Sequence, residues 1–319
     1  MGYNVQMLHN ETDFVGVKEW MGEAYANLPH FNIEKTNVAI SPADILFIPE
    51  LYSQVMYKTM SLPCKRIAIL QNYKLLTEII PFGTTWKDYK IRECITNTHY
   101  MGERIKDVFP NTLVRVIRPC IKNFFKKPAG TKKFIINVVS QDQSDINTIV
   151  KSFMWKYPAL KWVTFRPVKG IPREDFADAL KDSVATLWID TRSNFGYTAL
   201  EAMATGNYVI AKVPEDNPEW GLDKNGELKD NVLWFYNDYD AVKIIATLIE
   251  SYLDESIPDD IDEEMEQTVS YYSEENQTKD IEEFIVKGIF AQRKQELELA
   301  LDAFKKNKEE ITEEKDNEK

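Results

Sequence analysis

The chain has 319 residues, which is enough for two domains of ordinary size, and 44% of them are hydrophobic. No run of about 18 apolar residues occurs, so no transmembrane helix is expected. The net charge of −12 is concentrated at one end: 22 acidic and 9 basic side chains lie from Leu253 onward, whereas 29 acidic and 30 basic ones precede it. This near-neutral body argues against broad electrostatic attraction to nucleic acid.

In chain order, apolar strand-like runs alternate with amphipathic segments of helical length. The predicted strands are Asn4–Leu8, Ile45–Ile48, Ile67–Leu70, Glu93–Thr96, Leu113–Val116, Lys133–Val139, Trp162–Arg166, Ala185–Ile189, Tyr208–Ala211 and Val232–Phe235. The predicted helices are Val17–Asn27, Thr98–Val108, Ile146–Lys156, Glu174–Asp182, Tyr197–Ala204 and Asp240–Tyr252. This alternation predicts an α/β protein with parallel sheets of the doubly wound kind.

A basic stretch with Pro128 and Gly130 precedes the strand at Lys133 and is typical of a linker. It predicts a domain over residues 1–125 and a second over residues 126–252. Residues 253–319 are expected to form an acidic linker that is irregular over Asp254–Glu266, a long helix over Asp280–Lys308 and a charged tail.

Cysteine and histidine are few and widely spaced. They are Cys64, Cys94, Cys120, His9, His30 and His99. No CxxC pair and no metal-ligand spacing occurs, so we predict no metal site and no disulfide framework. Three buried thiols of a cytoplasmic protein are expected.

The segment Thr186–Trp220 carries the clearest functional signal. A strand ends near Ile189, a short loop leads to Gly196, and good helix formers follow. A helix start at the end of a strand is a ready anion site, because its free amides and the positive end of its dipole face the ligand. Glu201 lies one turn into this helix, where its carboxylate could accept hydrogen bonds from a vicinal diol such as ribose.

The residue pattern of this segment is a more specific indication of function than its predicted strand–loop–helix geometry. FGYTALEAMATGNYVIA resembles the FG-x-x-x-x-EAMA-x-G-x-PVIA signature of retaining GT-B glycosyltransferases. Upstream, FRPVKGIPREDFADALKDSVATLWID is similar to the strand, loop and helix that precede this signature in the family. Four segments of the N-terminal half resemble the acceptor domain of the family: ADILFIPE, KRIAILQNY, ECITNTHYMGERIKDVFP and VRVIRPCI. Their residue pattern is closer to that of phage-encoded members. The resemblance implies two Rossmann-like domains facing a cleft, with a C-terminal helical extension.

The resemblance also implies site residues. The helix-start residues Gly196, Tyr197 and Thr198 would hold the donor diphosphate, and Glu201 would bind the ribose. The loop at Lys169 and Gly170 matches the segment that packs on the nucleotide base. These roles remain open, since a helix-start glutamate and a plain strand-to-helix loop have ordinary structural explanations.

Two departures from the family pattern concern charge. Ser193 stands where the family has a carboxylate that touches the donor sugar. The arginine and lysine expected after the first strand of the donor domain are also absent. Because a leaving diphosphate needs charge stabilisation, another cation must serve, and the candidates are Arg166, Lys169, Arg173 and Arg192.

A third departure is at the N-terminus. The chain opens with MGYNVQML, which resembles the second strand of the family, so the first strand–loop–helix unit is expected to be missing. On the acceptor side, strand ends supply Gln71, Asn72, Tyr73 and Tyr100, with His99 as the catalytic candidate beside Glu201 and Ser193. A catalytic base is not essential in this family, because the donor phosphate can take the acceptor proton.

Three functional interpretations remain. The first is a metal-independent retaining glycosyltransferase that needs no cofactor beyond its nucleotide-diphosphate sugar donor. Its acceptor could be a glycan, a lipid-linked glycan, a modified nucleobase or a protein. The second is a weak or inactive GT-B scaffold that binds a partner through its C-terminal helix. The third, a sugar-nucleotide 2-epimerase, is disfavoured by the scarcity of histidines. The C-terminal helix itself fits either packing against the N-terminal half or a homodimer contact.

Overall fold

The computed structural model of the protein describes residues 4–11, 26–140, 143–189, 195–214 and 218–317. The chain divides into two units, residues 1–46 with 61–65 and residues 47–60 with 66–319. The first unit contains a parallel pair of short strands, β1 (Met7–His9) and β2 (His30–Asn32). Strand β2 was not predicted, because three residues are too few to show an alternation of apolar and polar side chains. The predicted helix Val17–Asn27 lies almost wholly outside the described residues.

Four strands form a parallel sheet in the order β3-β4-β5-β6, and most of it belongs to the second unit. Its strands are β3 (Ile45–Pro49), β4 (Lys65–Leu70), β5 (Glu93–Thr96) and β6 (Leu113–Val116). Its helices are α1 (Ser53–Lys58), α2 (Tyr73–Ile79) and α3 (His99–Val108). The apolar runs predicted for β3 to β6 are therefore strands, and the interior of β4 is buried as expected of a parallel sheet.

A second parallel sheet has the order β11-β10-β9-β7-β8. Its strands are β7 (Lys133–Ser140), β8 (Thr164–Pro167), β9 (Ser183–Ile189), β10 (Tyr208–Lys212) and β11 (Leu233–Phe235). Its helices are α4 (Gln143–Lys156), α5 (Arg173–Asp182), α6 (Tyr197–Ala204) and α7 (Asp238–Leu253). The predicted domain boundary near residue 125 falls between the two sheets and remains a prediction.

Helices cover both faces of the second sheet. On one face, Phe153 of α4 and Ile245 of α7 pack in one cluster with Leu187 of β9. On the other face, Leu180 of α5 and Leu200 of α6 pack in a cluster with side chains from β9 and β10. Every residue of β9 is buried. A central strand covered on both sides needs a continuous apolar run, which is how β9 was recognised in the sequence.

A buried polar network fixes the amino end of this sheet. Asn137 of β7 donates from Nδ2 to the Ser183 hydroxyl at 2.5 Å, and that hydroxyl lies 3.0 Å from Asn207 Oδ1. The Asn207 amide donates in turn to Leu180 O and to the Thr205 hydroxyl. Because buried polar groups are costly unless they are hydrogen-bonded, this network holds β7, β9 and the start of β10 in one register.

The C-terminal region is helical over nearly its whole length. It contains α8 (Asp259–Tyr271), α9 (Glu274–Asp280), a π-helix (Ile281–Phe290) and α10 (Ala291–Asn317). The expectation that Asp254–Glu266 is irregular was therefore wrong from Asp259 onward, whereas residues 254–258 contain no helix or strand. Three aspartates in the first turn of α8 complement the helix dipole, and Met265 joins the core beside α6.

An ion pair joins this region to the segment after β6. Arg118 donates from Nε to Asp280 Oδ2 at 2.6 Å and from Nη2 to Oδ1 at 3.0 Å. The Arg118 amide also donates to Asp280, and Gln277 Nε2 donates to Arg118 O. The hydrogen bonds to Asp280 raise the pKa of the Arg118 guanidinium. The C-terminal helices thus pack against the N-terminal half of the chain, as one of the two sequence interpretations predicted.

No helix in the described part of the chain is long and apolar enough to cross a bilayer. Cys64, Cys94 and Cys120 are buried, as predicted.

We predict that Asp280→Ala lowers the free energy of unfolding by about 2 kcal/mol, because it leaves a largely buried arginine unpaired. Chemical denaturation measures the change. Glu275→Ala is the matched control in the same helix, since its pair with Lys279 is solvent-exposed and is expected to contribute little to stability. Equal losses in the two variants would contradict the structural role of Asp280.

A second prediction concerns Lys132, whose ammonium donates to Ser183 O at 3.0 Å. Burial lowers the pKa of Lys132 to about 7, and Lys127 contributes in the same direction. The unfolded chain has a lysine pKa of about 10.4 and so binds this proton more tightly. Stability should therefore rise from about pH 7 to about pH 10. Lys132→Met should be more stable than wild type near pH 7, with the gain fading toward pH 10. Thermal unfolding of both proteins across this range measures the difference, and a pH-independent difference would contradict it.

Candidate functional site

The candidate site lies at the carboxyl end of the five-stranded sheet, where the strand order reverses. From β7 the chain moves to β8 on one side and then to β9 on the other. Open α/β sheets bind ligands in the crevice outside such a switch point. Gly196 and helix α6 follow β9 at this position, as the sequence predicted. Residues 141–142 and 190–194, which include Ser193 and Arg192, lie outside the described residues.

Gly196 makes the turn that directs α6. Its backbone is left-handed, with a φ of 73°. An added Cβ would lie 2.6 Å from Trp188 Cη2 and 3.2 Å from Trp220 Cζ2. Trp220 Nε1 donates to Phe195 O at 2.5 Å, which fixes the residue before the turn. Both the backbone conformation and the lack of space require glycine at this position.

The start of α6 presents Tyr197 and Thr198 as predicted. The helix has no side-chain cap at Gly196. The amides of its first turn point along the helix axis away from α6, as an anion site requires. Tyr197 packs edge-on against Phe195 at a centroid distance of 4.8 Å. Burial raises the pKa of Tyr197 to about 12, so its phenol is neutral and can donate a hydrogen bond at physiological pH.

Glu201 is the buried carboxylate of the site. Its side chain is only 2% exposed, and Oε1 contacts Arg173 Nη2. Oε2 is buried and has no hydrogen-bond partner among the described residues. A buried carboxylate oxygen without a donor is costly, and a ligand hydroxyl would satisfy it. The geometry therefore fits the diol-binding role predicted for Glu201.

The other candidate basic residues have different surroundings. Arg166 donates to Asn137 Oδ1 and Ala179 O and lies 3.7 Å from Asp182, at the amino end of the sheet. This places it at the edge opposite Gly196, because its partners adjoin the start of β9. The structure thus gives no support to a diphosphate-binding role for Arg166. Lys169 and Gly170 are exposed in the loop after β8, at the predicted edge.

On the acceptor side, β3 and β4 end beside one another. The buried Glu50 accepts hydrogen bonds from the amides of Gln71 at 3.1 Å and Asn72 at 2.9 Å. Burial raises the pKa of Glu50, and these hydrogen bonds act in the opposite direction. Asn72 caps α2, which begins at Tyr73. The predicted acceptor loop is therefore held by a carboxylate that was not predicted.

His99 and Tyr100 begin α3. The Tyr100 amide donates to Glu219 Oε2 at 2.9 Å, so a residue after β10 caps this helix. His99 is exposed and lines a cavity of about 400 Å³ together with Asn97, Arg115, Arg118, Glu219 and Tyr272. Among the described contacts, Arg173 touches Glu201 and His99 does not. A catalytic role for His99 remains a prediction.

Sequence reasoning missed Glu50, Trp188, Trp220 and Glu219. Glu50 could have been found, because it follows β3 just as Gln71 follows β4, and parallel strands end at one edge. Trp188 and Trp220 flank the signature segment, but their contact with Gly196 depends on tertiary packing. Glu219 contacts an amide 119 residues away, and no local pattern indicates such a contact.

Within the described ranges, no group of three or more His, Cys, Asp and Glu side chains is arranged to hold a metal ion. Metal independence of the reaction remains a prediction.

Part of the chain is similar in sequence to a curated glucosyltransferase. No protein-family model matches it. An alpha-1,6-glucosyltransferase from Actinobacillus pleuropneumoniae serotype 7 (strain AP76) is 23% identical over 187 residues, which cover 54% of this chain and 54% of that protein. The chain therefore spans about half the length of the curated relative that it matches.

Solved structures extend the likeness to most of the chain. The pneumococcal O-GlcNAc transferase GtfA, in complex with UDP and GlcNAc, matches 80% of this chain and 57% of its own, with a TM-score of 0.56 and 12% identity. Sucrose-phosphate synthase from Thermosynechococcus elongatus matches 78% of this chain and 74% of its own, with a TM-score of 0.55 and 12% identity. At this identity the likeness shows the fold alone: the chain has the α/β fold of GT-B glycosyltransferase structures, with a helical region at its C-terminal end.

Proposed function

We propose that the protein is a retaining glycosyltransferase that moves a sugar from a nucleotide-diphosphate donor to an acceptor. The observation that carries this proposal is Glu201, a buried carboxylate with one unpartnered oxygen beside the glycine turn at the switch point. The partial sequence likeness to a glucosyltransferase and the fold shared with glycosyltransferase structures support the same reaction class.

The donor would lie across the start of α6. Its diphosphate accepts hydrogen bonds from the amides near Gly196, Tyr197 and Thr198 and is favoured by the positive end of the helix dipole. A ribose hydroxyl donates to Glu201 Oε2. The nucleobase rests on the loop at Lys169 and Gly170. The sugar then extends toward the carboxyl end of β9.

The reaction would need few groups from the protein. The bond between the anomeric carbon and the diphosphate oxygen breaks, and the acceptor hydroxyl oxygen bonds to the same face of that carbon. The acceptor proton passes to the departing diphosphate, so no separate base is required. We propose that no metal ion is needed, and activity retained in excess chelator would support this. The acceptor side is the edge that holds Gln71, Tyr73 and His99.

We predict that Glu201→Gln weakens binding of the preferred nucleoside diphosphate about 10-fold or more, because a charge-assisted hydrogen bond to ribose is replaced by a weaker one. Calorimetric titration with the diphosphates of uridine, guanosine and adenosine measures this, and incubation with a panel of sugar nucleotides measures transfer and hydrolysis.

Glu250→Gln is the control for Glu201→Gln, since it removes the same charge from the exposed end of α7. If wild type binds no diphosphate and hydrolyses no donor, the proposed function is wrong.

We also predict that Gly196→Ala weakens diphosphate binding at least 10-fold, because the new methyl group collides with Trp188 and displaces the start of α6. Gly226→Ala is the matched control: its φ is also positive, at 83°, but no atom lies within 4 Å of the added Cβ. Both variants carry the backbone strain of about 1–2 kcal/mol, so only Gly196→Ala should lose binding. Equal affinity in the two variants would show that α6 does not bind the diphosphate.

A further inference from the structure

A donor diphosphate requires more positive charge than the start of α6 provides. The helix dipole is equivalent to about half of one positive charge, whereas a diphosphate in the act of leaving carries two or more negative charges. Glu201 adds a further negative charge at one turn from Gly196. A cationic side chain close to Glu201 would therefore decide whether an anionic ligand can bind here.

Arg173 occupies that position. Its guanidinium contacts Glu201 Oε1 and lies 5.1 Å from the ring centroid of Phe125 and 6.0 Å from that of Phe176. These contacts come from three different segments of the chain and define where the cation sits. Glu201 lies one turn into α6, so this contact brings the cation to the helix that begins after Gly196. The cation thus lies beside the predicted diphosphate site.

Arg173 has donors available for a ligand. A guanidinium carries five N–H donors in a planar fork, and one edge suffices for a carboxylate. The Glu201 side chain is 2% exposed, whereas the Arg173 side chain is 54% exposed. Arg173 can therefore keep its contact with Glu201 and offer its remaining N–H groups to an anion from solvent.

Among the candidate cations that the structure describes, Arg173 is the one that contacts Glu201. Arg166 is bound at the opposite edge of the sheet by Asn137 and Ala179. Lys169 is exposed in the loop that precedes α5. Arg192 lies outside the described residues.

We propose that Arg173 binds the diphosphate of the donor while it stays in contact with Glu201. This inference rests on the proposed function and adds to it the residue that supplies the charge. A single guanidinium then contacts the diphosphate directly and the ribose indirectly, through Glu201. Every sugar donor of this class contains both groups. Discrimination between a nucleoside and its diphosphate would depend on Arg173.

The test compares a nucleoside with its diphosphate, so that ribose binding and phosphate binding are separated. Uridine, uridine monophosphate and uridine diphosphate are titrated into wild type and into Arg173→Gln, Arg173→Lys and Glu201→Gln; guanosine and adenosine series are used if the uridine series does not bind. Arg173→Gln should weaken diphosphate binding about 10- to 100-fold, as expected for charge-assisted hydrogen bonds, and nucleoside binding less than threefold.

The companion variants make the assignment specific. Arg173→Lys should recover part of the lost affinity, because charge remains while the planar fork is lost. Glu201→Gln should weaken nucleoside and diphosphate by the same factor. Lys181→Gln is the charge-matched control from the opposite end of α5, where Lys181 pairs with Asp178, and it should change either affinity less than threefold. Unchanged thermal midpoints verify that each variant is folded.

Two results would overturn the proposal while leaving the donor site in place. Equal losses for nucleoside and diphosphate in Arg173→Gln would mean that Arg173 only orients Glu201. Unchanged affinities would mean that it is an ordinary surface charge. If wild type binds no diphosphate of any base, the proposed function fails, and the role of Arg173 fails with it.

Discussion

The Gly196 turn is confined by two tryptophan rings, and the position of α6 depends on that confinement. Trp188 is the penultimate residue of β9, the central strand of its sheet, and Trp220 comes from the 3-10 helix Glu219–Gly221. Between them there is no space for a side chain at Gly196. The turn directs α6 so that Glu201 enters the core and meets Arg173. The core that holds the two tryptophans, the start of α6 and the buried Glu201 carboxylate therefore depend on one another.

The C-terminal helices contribute to the same core from a distance in sequence. Tyr272 packs edge-on against Phe195 at 5.4 Å, and its carbonyl accepts a hydrogen bond from the Ile121 amide at 2.8 Å. Arg118 and Asp280 hold the same stretch of chain a few residues away. The acidic region thus has a structural role, since it covers the segment that joins the two sheets and supports the residue before the Gly196 turn.

Features that depend on residues close together in the sequence could be predicted from it, whereas contacts between distant segments could not. The unbroken apolar run of β9 and the glycine before α6 follow from strand burial and turn geometry, so both were predicted. Helix α8 was missed because its acidic start masked the four-residue spacing of Ile261, Met265 and Val269, which its buried face requires. The contact between Arg173 and Glu201 joins two helices through tertiary packing, so the sequence indicated four candidate cations and could not choose among them.

Glu219 and Trp220 are consecutive residues, yet they fix the starts of two helices that follow strands of different sheets. Glu219 accepts from the first turn of α3, and Trp220 donates to the carbonyl before the turn into α6. The distance between these two helix starts is therefore set by a single short 3-10 helix. A ligand that displaced the Gly196 turn would move Trp220 and withdraw Glu219 from the Tyr100 amide. Such a displacement would couple the edge of one sheet to the edge of the other through two adjacent side chains.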